Sequence, residues 1–202
     1  MKRILPGSQF ETYAYDNGGN LQSRTDFNTK TTTFAYDTMR RLLSKTPDSS
    51  LSQPTVSFTY NSTGQRATMN DASGATVYSY DVRNRLSSKQ TPFGTLSYTY
   101  NEAGSLVTTR SSNANGVSVD YSYDTLNRLS TVKDNKLIAL NGGVTSYTYD
   151  VVGNLQSYQY PNGVTSSYAY NSLNRLTTMT VGTPVSSLAS YSYTLGALRL
   201  RW

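Results

Sequence analysis

The sequence of 202 residues contains no histidine and no cysteine. Their absence excludes disulfide bonds, imidazole and thiolate metal ligands, cysteine nucleophiles and every catalytic triad that uses an imidazole base. Charged residues make up only 15% of the chain, and no apolar stretch approaches the length of a membrane span. We therefore expect a protein that is not an enzyme, with no cofactor, no metal site and no membrane insertion.

Apolar residues are also sparse, at 36% of the chain, and 18 of them are tyrosines. Tyrosine carries a polar tip that prefers a hydrogen-bond partner or water, so this composition does not suit a thick aliphatic core. Abundant threonine, serine and tyrosine favour extended structure over helix. The net charge is +6, but the basic residues are scattered, which predicts solvated positions and no nucleic-acid partner. Residues 1–11 show no secretory signal pattern.

What the sequence does contain is a repeat. An aromatic residue, one spacer and a tyrosine precede a short polar turn nine times, at intervals of 20 to 26 residues. Such a period predicts a stack of small units, none of which buries a hydrophobic face alone. We expect a lead-in over residues 1–11 and an array of about nine hairpins over residues 12–202. The turns begin at Tyr15-Asp16, Tyr36-Asp37, Tyr60-Asn61, Tyr80-Asp81, Tyr100-Asn101, Tyr123-Asp124, Tyr149-Asp150 and Tyr170-Asn171, with Tyr193-Thr194 as a degenerate ninth.

One repeat illustrates the predicted local structure. Tyr78 and Tyr80 are two residues apart and lie on one face of a strand. Asp81 then accepts backbone hydrogen bonds and starts a turn, and Asn84 adopts the positive φ that a type I turn with a bulge requires. Leu86 opens the returning strand beside the tyrosines. The full turn signature is Asp16, Gly19, Asp37, Asn61, Gly64, Asp81, Asn84, Asn101, Gly104, Asp124, Asn127, Asp150, Gly153, Asn171 and Asn174.

In the second repeat, Arg40 occupies the position that is otherwise Gly or Asn, which indicates either backbone strain or a different turn. Glycine alternates with other residues at this position, and an arginine follows only the non-glycine residues. The alternation predicts that adjacent hairpins are not equivalent and that a pair of hairpins forms the structural unit. Drift after an ancestral duplication is the alternative explanation.

A second, more variable turn lies between successive anchors, as in Pro161-Asn162-Gly163. Each repeat is therefore a two-stranded hairpin. The predicted fold is all-β, with tandem hairpins stacked into one long curved or spiralling antiparallel sheet of roughly 16 to 18 strands. The apolar run 136–140 is too short for a helix and fits a strand in a longer unit.

Two kinds of residue could carry chemistry. The aspartates recur once per repeat and are replaced by asparagine in three of them, which favours turn capping over a general acid or a metal ligand. Stacked hairpins would also align tyrosines into a row. Such a row either binds glycans through its rings or fixes strand register by cross-strand packing, and the second interpretation is favoured. The row consists of Tyr78, Tyr98, Tyr121, Tyr147, Tyr168 and Tyr191.

The segment Tyr123-Asp124-Thr125-Leu126-Asn127-Arg128-Leu129 resembles the YD repeat of the RHS (rearrangement hot spot) and teneurin proteins, and the resemblance covers about residues 12 to 200. It implies a β-sheet that spirals into a hollow shell. In bacterial toxins this shell encloses a toxic polypeptide, and in teneurins it is an adhesion scaffold. The implied partners are other segments of an RHS-type chain, further copies of the chain, an enclosed toxin polypeptide or surface glycans. The implied location is secreted or at the cell surface.

Three functions compete. The first is a non-catalytic segment of an RHS-type shell that encloses or scaffolds a partner. The second is self-assembly into rings or filaments, because unpaired strand edges invite strand addition. The third is an extracellular adhesin that binds glycans through its tyrosines.

Overall fold

The computed structural model describes residues 1–4, 7, 9–137, 139 and 141–194. These residues form eighteen β-strands and two single-turn 3₁₀ helices, Ser49–Leu51 and Asn141–Gly143. The strands are β1 (Lys2–Ile4), β2 (Phe10–Tyr15), β3 (Leu21–Thr25), β4 (Thr31–Tyr36), β5 (Leu42–Thr46), β6 (Val56–Tyr60), β7 (Arg66–Asp71), β8 (Gly74–Tyr80), β9 (Leu86–Thr91), β10 (Gly94–Tyr100), β11 (Leu106–Ser111), β12 (Ser118–Tyr123), β13 (Leu129–Asp134), β14 (Val144–Tyr149), β15 (Leu155–Gln159), β16 (Thr165–Tyr170), β17 (Leu176–Thr183) and β18 (Ser186–Ser192).

Strands that follow one another in sequence pair antiparallel. The chain has two units, residues 1–96 and residues 97–202. In the first unit, β1 to β9 pair in chain order. In the second unit, β11 to β18 pair in the same way. The predicted fold class, an all-β array of tandem antiparallel hairpins, is confirmed, and the eighteen strands of the described residues fall within the predicted range of roughly 16 to 18.

A one-residue register shift marks the turn end of the hairpins. In the β8–β9 hairpin, Ser79 lies opposite Ser88 but Tyr80 lies opposite Leu86, so one residue of the returning strand is unmatched. This is a bulge, which bends the strand and increases its twist. It places the tyrosine of the repeat directly across from the residue that opens the returning strand. The same shift occurs at Tyr15, Tyr36, Tyr60, Tyr123, Tyr149 and Tyr170.

The strands have two chemically different faces. Successive side chains point to opposite sides of a strand, so the two aromatic positions of each repeat lie on one side and the spacer between them lies on the other. We call the first the aromatic face and the second the hydroxyl face. On the hydroxyl face, cross-strand pairs share hydrogen bonds, with hydroxyl oxygens 2.7 Å apart in Thr59–Thr68 and in Thr148–Ser157.

The described residues of the sheet enclose no hydrophobic core. In the part of the chain that the structure describes, no apolar side chain is buried, and the buried polar residues are Glu11, Thr76 and Ser166. Stability must therefore come from the hydrogen-bond ladder and from contacts between neighbouring hairpins.

One predicted strand is wrong where the structure describes it. Strand β13 ends at Asp134 and β14 begins at Val144, so Lys136, Leu137 and Ala139 lie outside any strand. Ile138 and Leu140, from the same run, lie outside the described residues, as do residues 195–202 of the predicted array. The division into a lead-in over 1–11 and an array over 12–202 stays a prediction.

Candidate functional site

The Tyr-Asp turn is closed by two backbone hydrogen bonds. The Asp124 N–H donates to the Arg128 carbonyl at 2.9 Å, and the Asn127 N–H donates to the Asp124 carbonyl at 2.9 Å. This geometry places Asn127 at a φ of 58°, where asparagine is tolerated. The corresponding residues of all eight repeats have positive φ, namely Gly19, Arg40, Gly64, Asn84, Gly104, Asn127, Gly153 and Asn174.

Arg40 makes the same turn as the other repeats. Its φ is 62°, and its N–H donates to the Asp37 carbonyl at 2.9 Å. Of the two explanations for Arg40, a strained backbone in a common turn therefore fits the structure, since the Cβ atom of an L residue crowds the following carbonyl oxygen in this region.

The side chain that follows the tyrosine caps the turn. In Asp124, Oδ1 accepts the N–H groups of Leu126 and Arg128, each at 2.9 Å. Where asparagine replaces aspartate the same bonds form: Oδ1 of Asn171 accepts the N–H groups of Leu173 at 2.9 Å and Arg175 at 3.1 Å. The turn needs only an accepting oxygen, which is why asparagine serves as well as aspartate.

The capping bonds lower the pKa of the turn aspartates. For Asp37, Asp81 and Asp124 the main cause of the lowered pKa is a hydrogen bond from the backbone N–H of the arginine four residues later. The guanidinium of that arginine lowers the pKa further. For Asp16 and Asp150 the largest cause of the lowered pKa is the side-chain amide of the asparagine four residues later. These carboxylates are held ionised, as hydrogen-bond acceptors, and are not poised to donate or accept a proton near neutral pH.

The arginine of the turn links its own repeat to the next one. Arg128 forms an ion pair with Asp124 at 2.7 Å, and its guanidinium lies over the Tyr149 ring at 4.4 Å from the centroid. Arg41 repeats this arrangement, with an ion pair to Asp37 at 2.7 Å and the Tyr60 ring at 4.5 Å. A cation over an aromatic face is an attractive contact, so each such arginine joins two hairpins.

The tyrosine of the repeat bonds back to the preceding hairpin. The Tyr149 hydroxyl donates to the Leu129 carbonyl at 2.9 Å. Leu129 directly follows Arg128, so the ring that lies under this arginine is also tied to the next backbone carbonyl. The same bond recurs along the chain: Tyr60 to Leu42, Tyr80 to Arg66, Tyr123 to Leu106 and Tyr170 to Leu155.

Glycine-bearing turns use a different link. In the three turns that contain Gly64, Gly104 and Gly153, the side chain after the glycine bonds to the positive-φ residue of the next turn, which is asparagine. Asn154 Nδ2 donates to Asn174 Oδ1 at 3.1 Å, and Ser105 Oγ donates to Asn127 Oδ1 at 2.8 Å. Gln65 Nε2 donates to the Asn84 carbonyl at 2.6 Å.

Arginine–tyrosine contacts and polar side-chain bonds alternate along the chain. The arginine of one turn also lies beside the glycine of the next turn. A side-chain carbon on Gly153 would lie 3.8 Å from Nη1 of Arg128. The φ of Gly153 is 97°, well beyond the value of Asn127, and an L residue rarely adopts it. The hairpins are thus joined alternately by arginine stacking and by polar side-chain bonds, which supports the pair of hairpins as the structural unit.

The predicted tyrosine row is interrupted by the returning strands. Tyr78 lies opposite Lys89, and Tyr121 lies opposite Val132. Close ring contacts occur where the returning strand itself supplies an aromatic residue. Tyr158 is that residue, with ring centroids 5.8 Å from Tyr147 and 6.1 Å from Tyr168. Tyr168 and Tyr191 both lie opposite Met179.

Sequence reasoning missed the linking roles of Arg41, Arg128 and the tyrosine hydroxyls. A signal was present, since arginine and then leucine follow the turn in the same repeats, but sequence alone does not show that the next tyrosine lies over this pair. The described residues include no group of acidic side chains arranged to hold a metal ion. None of the described helices has the length and apolar character to cross a membrane.

The teneurin YD-shell family matches residues 2–141, more than two thirds of the chain, and the RHS repeat family matches residues 149–183. The chain belongs to the YD-shell family. No curated protein matches it.

Solved structures of this kind share the fold. The TcdB2-TccC3-TEV crystal structure matches with a TM-score of 0.70 and 17% identity, over 93% of this chain and 11% of that one. The TcdB2-TccC3-Cdc42 structure matches with a TM-score of 0.57 and 21% identity, over 90% of this chain and 9% of that one. The Photorhabdus luminescens Tc holotoxin pore, with a TccC3-D651A mutation, gives 0.53 and 21%, over 91% and 9%. This YD-shell chain thus spans about a tenth of each solved chain.

Replacing the strained arginine should stabilise the protein. We expect Arg40→Asn to raise the free energy of unfolding by about 0.5–1 kcal/mol, because asparagine tolerates left-handed backbone. Met39→Asn, an exposed neighbour at negative φ, is the control and should change stability by less than about 0.5 kcal/mol. Denaturant unfolding at high salt, which screens the charge of Arg40, measures both. A loss of stability in Arg40→Asn would show that the side chain matters more than the backbone.

Removing one tyrosine hydroxyl should loosen one hairpin junction. Tyr149→Phe keeps the ring under Arg128 but loses the bond to the Leu129 carbonyl, which should cost about 0.5–1.5 kcal/mol of unfolding free energy. Tyr191→Phe is the matched control, because Tyr191 is 53% exposed in β18, and we expect a change below about 0.5 kcal/mol. Equal losses of unfolding free energy in the two variants would contradict a role of the Tyr149 hydroxyl in joining the hairpins.

Acid should destabilise the fold through the turn aspartates. Their folded pKa values lie below the unfolded value of about 3.9, so the folded state binds fewer protons and stability falls as the pH drops through this range. The melting temperature should therefore fall between about pH 5 and pH 2. The variant Asp37→Asn/Asp81→Asn/Asp124→Asn, which copies the asparagine of other repeats, should show a flatter pH profile by circular dichroism. Parallel profiles would assign the acid sensitivity to other groups.

Proposed function

We propose that the chain is a non-catalytic structural segment of an RHS-type β-shell that scaffolds or encloses a polypeptide partner. The strongest support is that the polar groups of the repeat contact one another. Asp124 caps its own turn and holds Arg128, Arg128 lies over Tyr149, and Tyr149 bonds to Leu129. The recurring residues therefore join neighbouring hairpins, as expected for a structural shell segment.

A polypeptide partner is supported by the solved relatives. Two of these structures carry a third name, TEV or Cdc42, beside TcdB2 and TccC3. The chain matches about a tenth of those structures, so a partner of the whole shell is a proposal for this chain. Further segments of an RHS-type chain are its immediate partners in that proposal, and a secreted or cell-surface location goes with it.

Self-assembly is the second candidate. Strand β18 pairs with β17, and most of its side chains are exposed. An unpaired strand edge permits strand addition by another copy. The glycan-binding hypothesis stays a prediction.

Partner scaffolding is tested with a labelled unstructured polypeptide that has no net charge. Fluorescence anisotropy should show that the chain binds this polypeptide and that it binds a labelled folded domain of similar size much more weakly. Absence of binding to the unstructured polypeptide, while circular dichroism shows an intact sheet, would contradict the scaffolding proposal.

Light scattering after size-exclusion chromatography separates the two candidates. A shell segment that works without self-assembly should elute as a monomer whose mass does not change on dilution. A mass that grows with protein concentration, and that a proline in β18 returns to the monomer value, would support strand addition instead.

A further inference from the structure

The charges inside the strands of the first unit are sorted by face. Strands β3 to β9 contain four basic residues, and each lies across from an aromatic residue. The hydroxyl-face positions of the same strands hold no charged residue. The one acidic residue, Asp71, is the last residue of β7 and lies opposite Gly74 at a hairpin turn. The four pairs are Arg24–Tyr13, Lys45–Phe34, Arg66–Tyr60 and Lys89–Tyr78.

Three of the four cations are not neutralised. Arg24 forms an ion pair with Glu11, whose side chain is only 4% exposed. Lys45, Arg66 and Lys89, by contrast, form no ion pair with any described residue. Lys45 and Arg66 are exposed and Lys89 is half-buried.

The nearest acidic group does not cancel these charges. The carboxylate of Asp71 accepts the N–H of Ser73 at 2.8 Å and its hydroxyl. These bonds are the main reason that the pKa of Asp71 is lowered, and the charge of Lys89 is the smallest contribution. Asp71 is therefore held by its own turn, and the aromatic face of β5 to β9 keeps an excess of positive charge.

The spacing of the cations follows from the strand order. They lie on β5, β7 and β9, which alternate with strands that carry aromatic residues. Neighbouring strands are about 4.8 Å apart, so β5, β7 and β9 recur at intervals of roughly 10 Å across the sheet. On β6, Val56 lies opposite Lys45 and Tyr60 lies opposite Arg66, so Lys45 is also displaced from Arg66 by about 13 Å along the strands. Arg66 is further positioned by Phe58, whose ring centroid lies 4.6 Å from its guanidinium carbon. The result is an oblique positive stripe on an otherwise aromatic surface, which we call the cationic stripe.

We propose that the cationic stripe, Lys45, Arg66 and Lys89, binds an acidic polypeptide segment through its carboxylates. This inference rests on the proposed function, because it defines which partner the aromatic face prefers. Charge complementarity selects an anionic partner and opposes a cationic one. Arginine binds carboxylates through a planar fork, and the lysines act as point charges on either side of it.

A polypeptide fits this surface better than a nucleic acid does. Proteins that bind single-stranded nucleic acid stack bases on open aromatic faces beside a dense basic groove. Here Arg66 covers Phe58, and the basic residues occur only on every second strand. Carboxylates on a flexible acidic segment can reach charges at this wider spacing without a stacking platform.

The test compares the full chain with two double variants. Lys45→Thr/Lys89→Thr removes two charges of the stripe and keeps residues that favour strands. Lys30→Thr/Lys133→Thr removes the same charge elsewhere: Lys30 bonds to the exposed Ser50, and Lys133 lies opposite Asp120 on the hydroxyl face of the second unit. The probes are labelled oligoglutamate, oligolysine and the uncharged polypeptide, measured by fluorescence anisotropy.

Oligoglutamate should bind more tightly than the uncharged polypeptide, and oligolysine more weakly than either. The stripe variant should bind oligoglutamate about fivefold more weakly, whereas the control should change by less than about twofold, because two exposed ion pairs are lost in the first case only. Raising the salt concentration should remove the preference. Circular dichroism checks that both variants keep the sheet.

Four outcomes would overturn the proposal. Equal loss of oligoglutamate binding in both variants would make the preference an effect of net charge. Binding of oligothymidylate or an acidic oligosaccharide in place of oligoglutamate, lost in the stripe variant, would assign the stripe to another polymer. Binding of the uncharged polypeptide with no preference for oligoglutamate would reject the stripe alone, whereas loss of all polypeptide binding would also contradict the proposed function.

Discussion

The contact between an arginine, the aspartate of its own turn and the tyrosine of the next hairpin supports much of the rest of the structure. The sheet has no enclosed hydrophobic core in its described part, so a hairpin cannot be stabilised by packing against a second layer. An isolated hairpin is marginal in water. Arg41 and Arg128 supply the missing support, because each is held by a turn carboxylate and lies over the following tyrosine ring.

This arrangement explains why the repeat is both regular and alternating. The tyrosine hydroxyl donates a hydrogen bond to the backbone carbonyl that comes just after the preceding turn. The bulge at that turn determines which residue supplies this carbonyl. Glycine-bearing turns have no arginine, and Asn154 joins its neighbour by a bond to Asn174 instead. These polar groups bond to one another, so a binding partner would contact the two faces of the sheet instead. Within β3 to β9 the aromatic face combines rings with basic residues, which is why the proposed partner surface lies there.

The sequence was sufficient to predict the hairpins, the number of strands and the positive φ of the turn residues, because each of these depends on a few adjacent residues. The Asp-x-x-Gly/Asn spacing specifies a turn that needs no distant partner. The links between repeats were not predicted, because they depend on which residues meet across strands that are far apart in sequence. Arg128 and Tyr149 are an example. The run 136–140 was misassigned because its apolar residues suit a strand, whereas the described residues there form the connection between β13 and β14.

The central claim, that arginine and tyrosine couple neighbouring hairpins, is tested most directly by a double-mutant cycle on Arg41 and Tyr60. Unfolding free energies of Arg41→Gln, Tyr60→Leu and the double variant should reveal a coupling of about 0.5–1 kcal/mol. Glutamine is chosen because Gln65 occupies the same position in the next turn. Arg41→Gln combined with Tyr80→Leu, whose tyrosine belongs to a later hairpin, should be additive. Additivity of the Arg41 and Tyr60 changes as well would contradict the account.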